Sequence, residues 1–178
     1  LFKTNSQVSA LGLNGNGIEE IPKGTFSASK YSYMMKTLDL TYNKLSKLPD
    51  DFNGRNMPFL YGVDVSNNRF TEVPTGPMDA ATLTVYAVRS QRDENRNRLL
   101  RKWPSNISLC PSLRQFCIGG NDLRKISDTI SSAIIVFEIK DNPNISLNLS
   151  NVCNMIKAGA YLLIYDPEQD IRGCDYVK

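Results

Sequence analysis

Two aspartates are the clearest candidates for chemistry in this 178-residue chain. Asp39 and Asp64 hold the same place in two similar stretches, LDLTYNKLSKLP (38–49) and VDVSNNRFTEVP (63–74). Each lies between two apolar residues that alternate as in a strand, so we expect the carboxylates on neighbouring strands, about 4.8 Å apart. They are either two mutually repelling, solvated carboxylates, or a site for a cation or a basic side chain of a partner. A glycosidase pair is disfavoured because no enclosed pocket is predicted.

Most other catalytic machinery is excluded by residue types that are missing. The chain has no histidine, which removes Ser-His-Asp triads, Cys-His pairs and histidine zinc sites. It also lacks a Walker A phosphate loop, a C-x-x-C pair and a G-x-S-x-G elbow. Cys117 lies between two apolar strand residues and is expected to face solvent, but no nearby base is identifiable that would activate its thiol. We therefore predict no enzyme, no catalytic residue, no cofactor and no metal site.

The positive charge is concentrated in one segment, RSQRDENRNRLLRK (89–102). Its five arginines and one lysine, against one aspartate and one glutamate, give a local charge of +4, whereas the whole chain carries +3. The segment is either a solvated, poorly ordered loop or an insertion that serves binding. Nucleic acid is disfavoured as a partner because the segment has no interleaved aromatics and the chain has no broad basic stripe.

An internal repeat determines the elements that position these residues. The apolar residues of LDLTYNKLSKLP fit neither a strand nor a helix period. The same offsets recur in 63–74, in LGLNGNGIEEIP (11–22) and, without the closing proline, in FCIGGNDLRKI (116–126). With the apolar residues before them, the units follow L-x-x-L-x-L-x-x-N-x-L-x-x-L. This pattern resembles the leucine-rich repeat family, and the LP closings look like those of its secreted or surface-exposed bacterial members.

The resemblance implies an α/β solenoid. It would be a right-handed horseshoe of about six to seven repeats, with a concave parallel β-sheet and an irregular, 3-10 or short-helix convex side. Equivalent strand residues are 27, 25, 23, 30 and 21 residues apart, within the range of the family. These residues are Leu11, Leu38, Val63, Tyr86, Phe116 and Phe137. A single repeat cannot bury its own apolar faces, so only stacking stabilises it.

One domain over residues 1–178 is predicted, with a partial repeat or N-terminal cap at 1–7, repeats at 8–150, and a last coil and C-terminal cap at 151–178. We expect the chain to be an excerpt of a longer protein. In AYLLIYD, either Leu162 and Ile164 or Leu163 and Tyr165 face inward, since the stretch is apolar throughout.

The recurring asparagine is expected to be structural. Its amide donates and accepts at once, so it can satisfy backbone groups that the turn after each strand leaves unpaired. This predicts a buried ladder of Asn16, Asn43, Asn68, Asn121 and Asn142. A second ladder, of apolar side chains, is predicted on the convex side, nine or ten residues after the asparagines of the first five repeats. In the fourth repeat the count starts from Asn97. The members of this ladder are Phe26, Phe52, Met78, Ile107 and Ile130.

The resemblance implies recognition as the function. We expect a non-catalytic module that binds a protein, or a glycan, through the concave sheet and the adjacent charged loop. The alternatives are a structural spacer or a glycan-binding adhesion module of a larger surface protein. The candidate partner-binding residues share a predicted place on the concave face or its rim. They are Asp39, Tyr42, Tyr61, Asp64, Asn67, Arg89, Arg92, Arg96, Arg98, Glu138 and Lys140.

The compartment is expected to be extracellular. The resemblance implies secretion or a cell-surface location, with any signal segment removed from this chain. No transmembrane segment is predicted because no stretch of 18 apolar residues occurs. Four cysteines are too few for a disulfide scaffold, and Cys110 is expected to be a buried small hydrophobe. A bridge between Cys153 and Cys174 near the C-terminal end is left open, since spacing does not establish geometry.

Overall fold

The computed structural model describes residues 8–27, 32–104, 107, 110–126, 133–146, 153, 162–164 and 166. Seven short strands form one sheet in chain order, with every neighbouring pair parallel. They are β1 (Ala10–Gly12), β2 (Thr37–Asp39), β3 (Gly62–Asp64), β4 (Val85–Ala87), β5 (Gln115–Cys117), β6 (Val136–Glu138) and β7 (Leu162–Ile164). The predicted solenoid of six to seven coils with a parallel sheet is confirmed. We number each coil by its strand.

The middle residues of β2 to β6 face the interior of the solenoid. Leu38, Val63 and Phe137 are at most 2 % exposed, and they lie in register along the sheet with their equivalents in the other coils. The residues on either side of them face the concave surface, because side chains alternate along a strand. In the backbone register of the last strand, Leu163 is the partner of Phe137 and Leu162 the partner of Val136.

The described parts of the convex side are mainly turns and include 3-10 helices at Ser32–Met34 and Gly76–Asp79. The four described members of the predicted convex ladder are at most 2 % exposed, and Ile130 lies outside the described residues. Successive turns pack so closely that a Cβ on Gly54 would lie 2.3 Å from the backbone nitrogen of Ala80. Only glycine permits that approach.

Buried amides join each coil to the one before it. The Nδ2 of Asn68 donates to the carbonyl oxygens of Leu40 (2.9 Å) and Val65 (3.0 Å), and its Oδ1 accepts the N–H of Leu45 at 2.9 Å. Asn43, Asn121 and Asn142 bond in the same way between their own coil and the preceding one. All four asparagines are at most 8 % exposed.

Two positions of the ladder differ from the sequence prediction. Asn16 is exposed, and its Nδ2 donates only to Asn14 within its own coil, because β1 is the first strand of the described sheet and nothing described packs beyond it. In the fourth coil the slot belongs to Gln91, which is fully buried. Its amide reaches the carbonyl oxygen of Val65 (3.0 Å) and the N–H of Phe70 (3.1 Å). Asn97, from which the convex position of the fourth repeat is counted, is exposed.

The ladder gives the first prediction. Asn68→Ala removes the partner of three buried backbone groups, so we expect the free energy of unfolding to fall by on the order of 3 kcal/mol, measured by urea denaturation. Asn16→Ala makes the same change at the exposed end and should alter it by no more than about 0.5 kcal/mol. Equal losses at the two sites would show that burial of the amide is not what stabilises the coils.

Candidate functional site

An open trough runs along the concave face from the first coil to the near edge of the fifth. Its volume is about 470 Å³, and its floor and walls are mostly small side chains, with a few polar ones. The lining residues that carry its character are Gly12, Thr37, Asp39, Gly62, Asp64, Ala87, Arg89 and Gln115. Large side chains are rare here because the positions on either side of the middle strand residues hold glycine, alanine, threonine, valine or aspartate. The main chain is therefore accessible from the concave side.

Asp39 and Asp64 lie directly opposite each other on β2 and β3, as predicted. One oxygen of each is held by the turn that follows its strand. Asp39 Oδ1 accepts the N–H (2.9 Å) and hydroxyl (2.7 Å) of Thr41, and Asp64 Oδ1 accepts the N–H of Ser66 (2.9 Å). Among the described residues neither carboxylate has a lysine or arginine within 4.0 Å. Two half-buried negative charges therefore stand side by side in the trough.

The predicted tyrosines lie at the two opposite edges of this trough. Tyr42 is 66 % exposed beyond the C-terminal end of β2, at a left-handed backbone position that Asn67 repeats in the next coil (φ 55° and 57°). Tyr61 is 50 % exposed just before β3. It belongs to a group of exposed apolar side chains, which we call the aromatic patch. The patch consists of Tyr33, Met34, Phe59 and Tyr61.

An ion pair between a partly exposed arginine and a buried glutamate closes the concave face beyond the fourth coil. Arg89 Nε donates to Glu138 Oε2 at 2.7 Å, and the pair joins the fourth coil to the sixth. It crosses over Gly119, where an added Cβ would lie only 3.0 Å from Glu138 Oε1. Burial would lower the pKa of Arg89, but the hydrogen bond and charge of Glu138 outweigh it and the pKa is raised. Arg89 therefore remains charged beside Glu138.

The prediction that Cys117 faces solvent is wrong. The residue is 1 % exposed, although its strand position is on the concave side, because Arg89 and Glu138 cover that part of the sheet. Burial raises the pKa of its thiol, which is the opposite of what a nucleophilic cysteine needs. Cys110 is buried as expected, and burial raises its pKa to about 11.

The charged segment forms a β-hairpin. Arg92 and Arg98 pair as an antiparallel bridge. The turn between them is closed by the N–H of Asp93, which donates to the carbonyl oxygen of Asn97 (3.0 Å), and by the N–H and Nδ2 of Asn97, which donate to the carboxylate of Asp93 (2.7 and 2.8 Å). The side chain of Asn97 also lowers the pKa of the Asp93 carboxyl. The loop is therefore ordered, and only its tip, including Arg96, is exposed.

Most of the arginines in and beside the hairpin are paired within the molecule. Arg98 bonds both the carboxylate of Asp141 (2.5 Å) and the carbonyl oxygen of Asn121 (2.9 Å). Arg92 lies 3.9 Å from the other oxygen of Asp141, and burial, followed by the charge of Arg98, lowers its pKa. On the other side, Glu94 pairs with Arg69 at 3.0 Å. The local excess of positive charge is thus largely compensated, whereas Lys140 remains exposed near the hairpin.

The comparisons with known proteins agree with this geometry. A model of the Leucine Rich Repeat family matches residues 34–54. A leucine-rich repeat protein from Bacteroides eggerthii DSM 20697 is 49 % identical over 98 % of this chain, with a TM-score of 0.89. The chain is a leucine-rich-repeat solenoid. A second such protein, from Bacteroides thetaiotaomicron VPI-5482, is 43 % identical over 99 % of it, with a TM-score of 0.90.

This leucine-rich-repeat chain spans only part of those structures, 29 % and 22 % of their lengths. The leucine-rich repeat domain of the type III effector XopL shares the fold alone, at 14 % identity and a TM-score of 0.61, over 92 % of this chain and 70 % of that domain. No curated protein matches the chain. Leucine-rich repeats are generally non-catalytic modules typical of protein–protein interaction. In the part of the chain that is described, no helix is long and apolar enough to cross a membrane.

The ion pair over Cys117 gives the second prediction. Glu138→Ala leaves Arg89 without its partner and uncovers the thiol, so we expect Cys117 in the folded protein to react with a disulfide reagent about tenfold faster or more than in the wild type. Cys117→Ser in the same background should abolish the gain and so assign it. If Glu138→Ala reacts no faster, while circular dichroism shows it folded, the pair does not protect the thiol.

Proposed function

We propose that the chain is a non-catalytic recognition module that binds a protein partner through the open trough and its rims. The trough carries the proposal, because it is the part of the concave face where main chain and small side chains are accessible. Two carboxylates with no ion-pair partner among the described residues stand in it, whereas beyond the fourth coil the Arg89–Glu138 pair covers the sheet. A surface of this kind offers backbone groups and charge to another molecule at little conformational cost.

The hairpin has a supporting role in this proposal. Its arginines Arg92 and Arg98 are held by Asp141, so they stiffen one end of the trough more than they reach a partner. Arg96 at the tip and Lys140 beside it are exposed and are the cationic rim contacts. Exposed rim charges mainly affect association rates and their salt dependence, and less the final affinity.

A structural spacer is the second candidate function. It is favoured by the relatives, which are three to five times longer than the stretch that this chain matches, as the shares of 29 % and 22 % imply. In a long array some coils serve only to hold others apart. The two functions differ in whether the trough has a partner.

We infer a secreted or cell-surface location. Cys153 is disulfide-bonded, and disulfides persist in oxidising compartments. Its expected partner, Cys174, lies outside the described residues. Cys110 and Cys117 are free and buried.

Thiol counting gives the third prediction. The unreduced chain, unfolded in denaturant, should show two titratable thiols, those of Cys110 and Cys117. After reduction all four cysteines should titrate. Four thiols without reduction would remove the disulfide and with it the support for an oxidising compartment.

Obstruction of the trough tests the proposed function. A Cβ on Gly62 would meet only ordinary contacts, the nearest at 3.6 Å from Thr37 Cγ2, so Gly62→Trp should fold and fill the trough. We expect the wild-type chain, immobilised in extracts of the surrounding cells or host tissue, to retain proteins that the variant loses, identified by quantitative mass spectrometry.

A matched control places the same bulk outside the trough. Thr71 is exposed and lies outside the trough lining, so Thr71→Trp should retain the partners of the wild type. Retention of the same proteins by Gly62→Trp, Thr71→Trp and the wild type would contradict recognition through the trough and leave the spacer function.

A further inference from the structure

Exposed apolar side chains are concentrated at one place on this molecule. Of the six large apolar residues that are exposed in the described part of the chain, four form the aromatic patch, with exposures of 42 % to 51 %. The rings of Tyr33 and Phe59 meet edge to face, with centroids 5.3 Å apart. Contiguous exposed apolar surface on a soluble protein marks an interaction site more often than chance surface does.

The patch is rigid because its neighbours in sequence are anchored. Met35 and Leu60 are fully buried at the entry to β2 and β3, so the residues before them are directed outward. Tyr61 is held on both sides by main-chain bonds: its N–H donates to the carbonyl oxygen of Lys36 at 2.7 Å, and its carbonyl accepts the N–H of Thr84 at 2.8 Å. A patch ordered in this way loses little freedom when it is covered.

The charge next to the patch is predominantly negative. Tyr61 leads directly into Gly62 and Asp64, and three residues of strand span roughly 10 Å. Asp39 stands opposite Asp64, and neither has an ion-pair partner in the described residues. Lys36 is exposed in the same row as Tyr61, so one positive charge stands against two negative ones. Arg89 also lines the trough and interacts electrostatically with Asp64, but its guanidinium is already paired with Glu138.

We propose that the aromatic patch and the Asp39–Asp64 pair together form a docking surface for an extended protein segment of definite chemistry. The segment carries an aromatic or large aliphatic side chain that packs on Tyr33, Phe59 and Tyr61. Roughly 10 Å further along it carries a lysine or arginine that reaches the two carboxylates. The charge of the trough complements that cation, and the free oxygens of the aspartates are its acceptors. This inference rests on the proposed function and names the partner that the trough takes.

A random dodecapeptide library displayed on phage tests the proposal with a defined probe. Selected on the immobilised wild-type chain, enriched peptides should contain an aromatic or large aliphatic residue and a lysine or arginine. Synthetic copies should bind Asp39→Asn/Asp64→Asn and Phe59→Ser/Tyr61→Ser about tenfold or more weakly, by fluorescence anisotropy. Their affinity should also fall between about 50 mM and about 500 mM salt. Asparagine keeps an oxygen for the N–H groups of Thr41 and Ser66, so the first variant should remain folded.

Matched controls make the outcome specific. Asp50→Asn makes the same change of charge at an exposed site outside the trough lining. Ile135→Ser removes an exposed apolar side chain of the sixth coil that lies outside both the patch and the trough lining, and both variants should bind the peptides as the wild type does. Melting temperatures by circular dichroism confirm that each variant is folded.

Other results would overturn the proposal. These are selection of no peptide, selection of peptides without a basic residue, or equal binding to Asp39→Asn/Asp64→Asn. Binding of neutral oligosaccharides on a glycan array, lost in Phe59→Ser/Tyr61→Ser, would assign the patch to a glycan instead. Gly62→Trp distinguishes failure of this inference from failure of the proposed function. If peptides whose binding does not depend on the aspartates no longer bind Gly62→Trp, recognition through the trough stands and only the basic segment fails. If those peptides also ignore Gly62→Trp, both fail.

Discussion

The buried amide between successive coils is the interaction on which the rest of the structure depends. Each turn out of a strand leaves backbone groups that point into the solenoid, where no water reaches them. Asn43, Asn68, Gln91, Asn121 and Asn142 satisfy those groups, and each bonds its own coil and the preceding one. The amide therefore stabilises the turn in a dry interior, and it also aligns neighbouring strands in register.

The concave face is divided because of one long-range pair. Arg89 and Glu138 are 49 residues apart in sequence, yet they meet across an intervening coil. That contact is allowed only because Gly119 leaves room beneath it. The consequence is an asymmetric surface, with an open trough that holds two carboxylates from the first coil to the near edge of the fifth, and a covered, charge-compensated region beyond it. Recognition and rigidity thus occupy different coils of the same sheet.

The sequence predicted what depends on repeating local physics, and missed what depends on contacts between distant coils. The strand residues, their register and four ladder asparagines follow from apolar periodicity, and Asp39 opposite Asp64 follows from the register. Burial of Cys117 does not, because the side chains that cover it come from two other coils. Gln91 was missed because a longer amide fills the asparagine slot, although its spacing of three residues after Val88 could have revealed it. The patch was missed because exposed aromatics carry no periodic signal.

Amide hydrogen exchange of the native protein tests the central claim most directly. The N–H groups of Leu45 and Leu123 bond side-chain oxygens of the next coil's asparagines, and that of Phe70 bonds Gln91. If buried amides hold the solenoid together, these three protons should exchange only with global unfolding, at the slowest rates in the chain. Exchange of all three as fast as the exposed hairpin-tip amide of Asn95 would contradict the account.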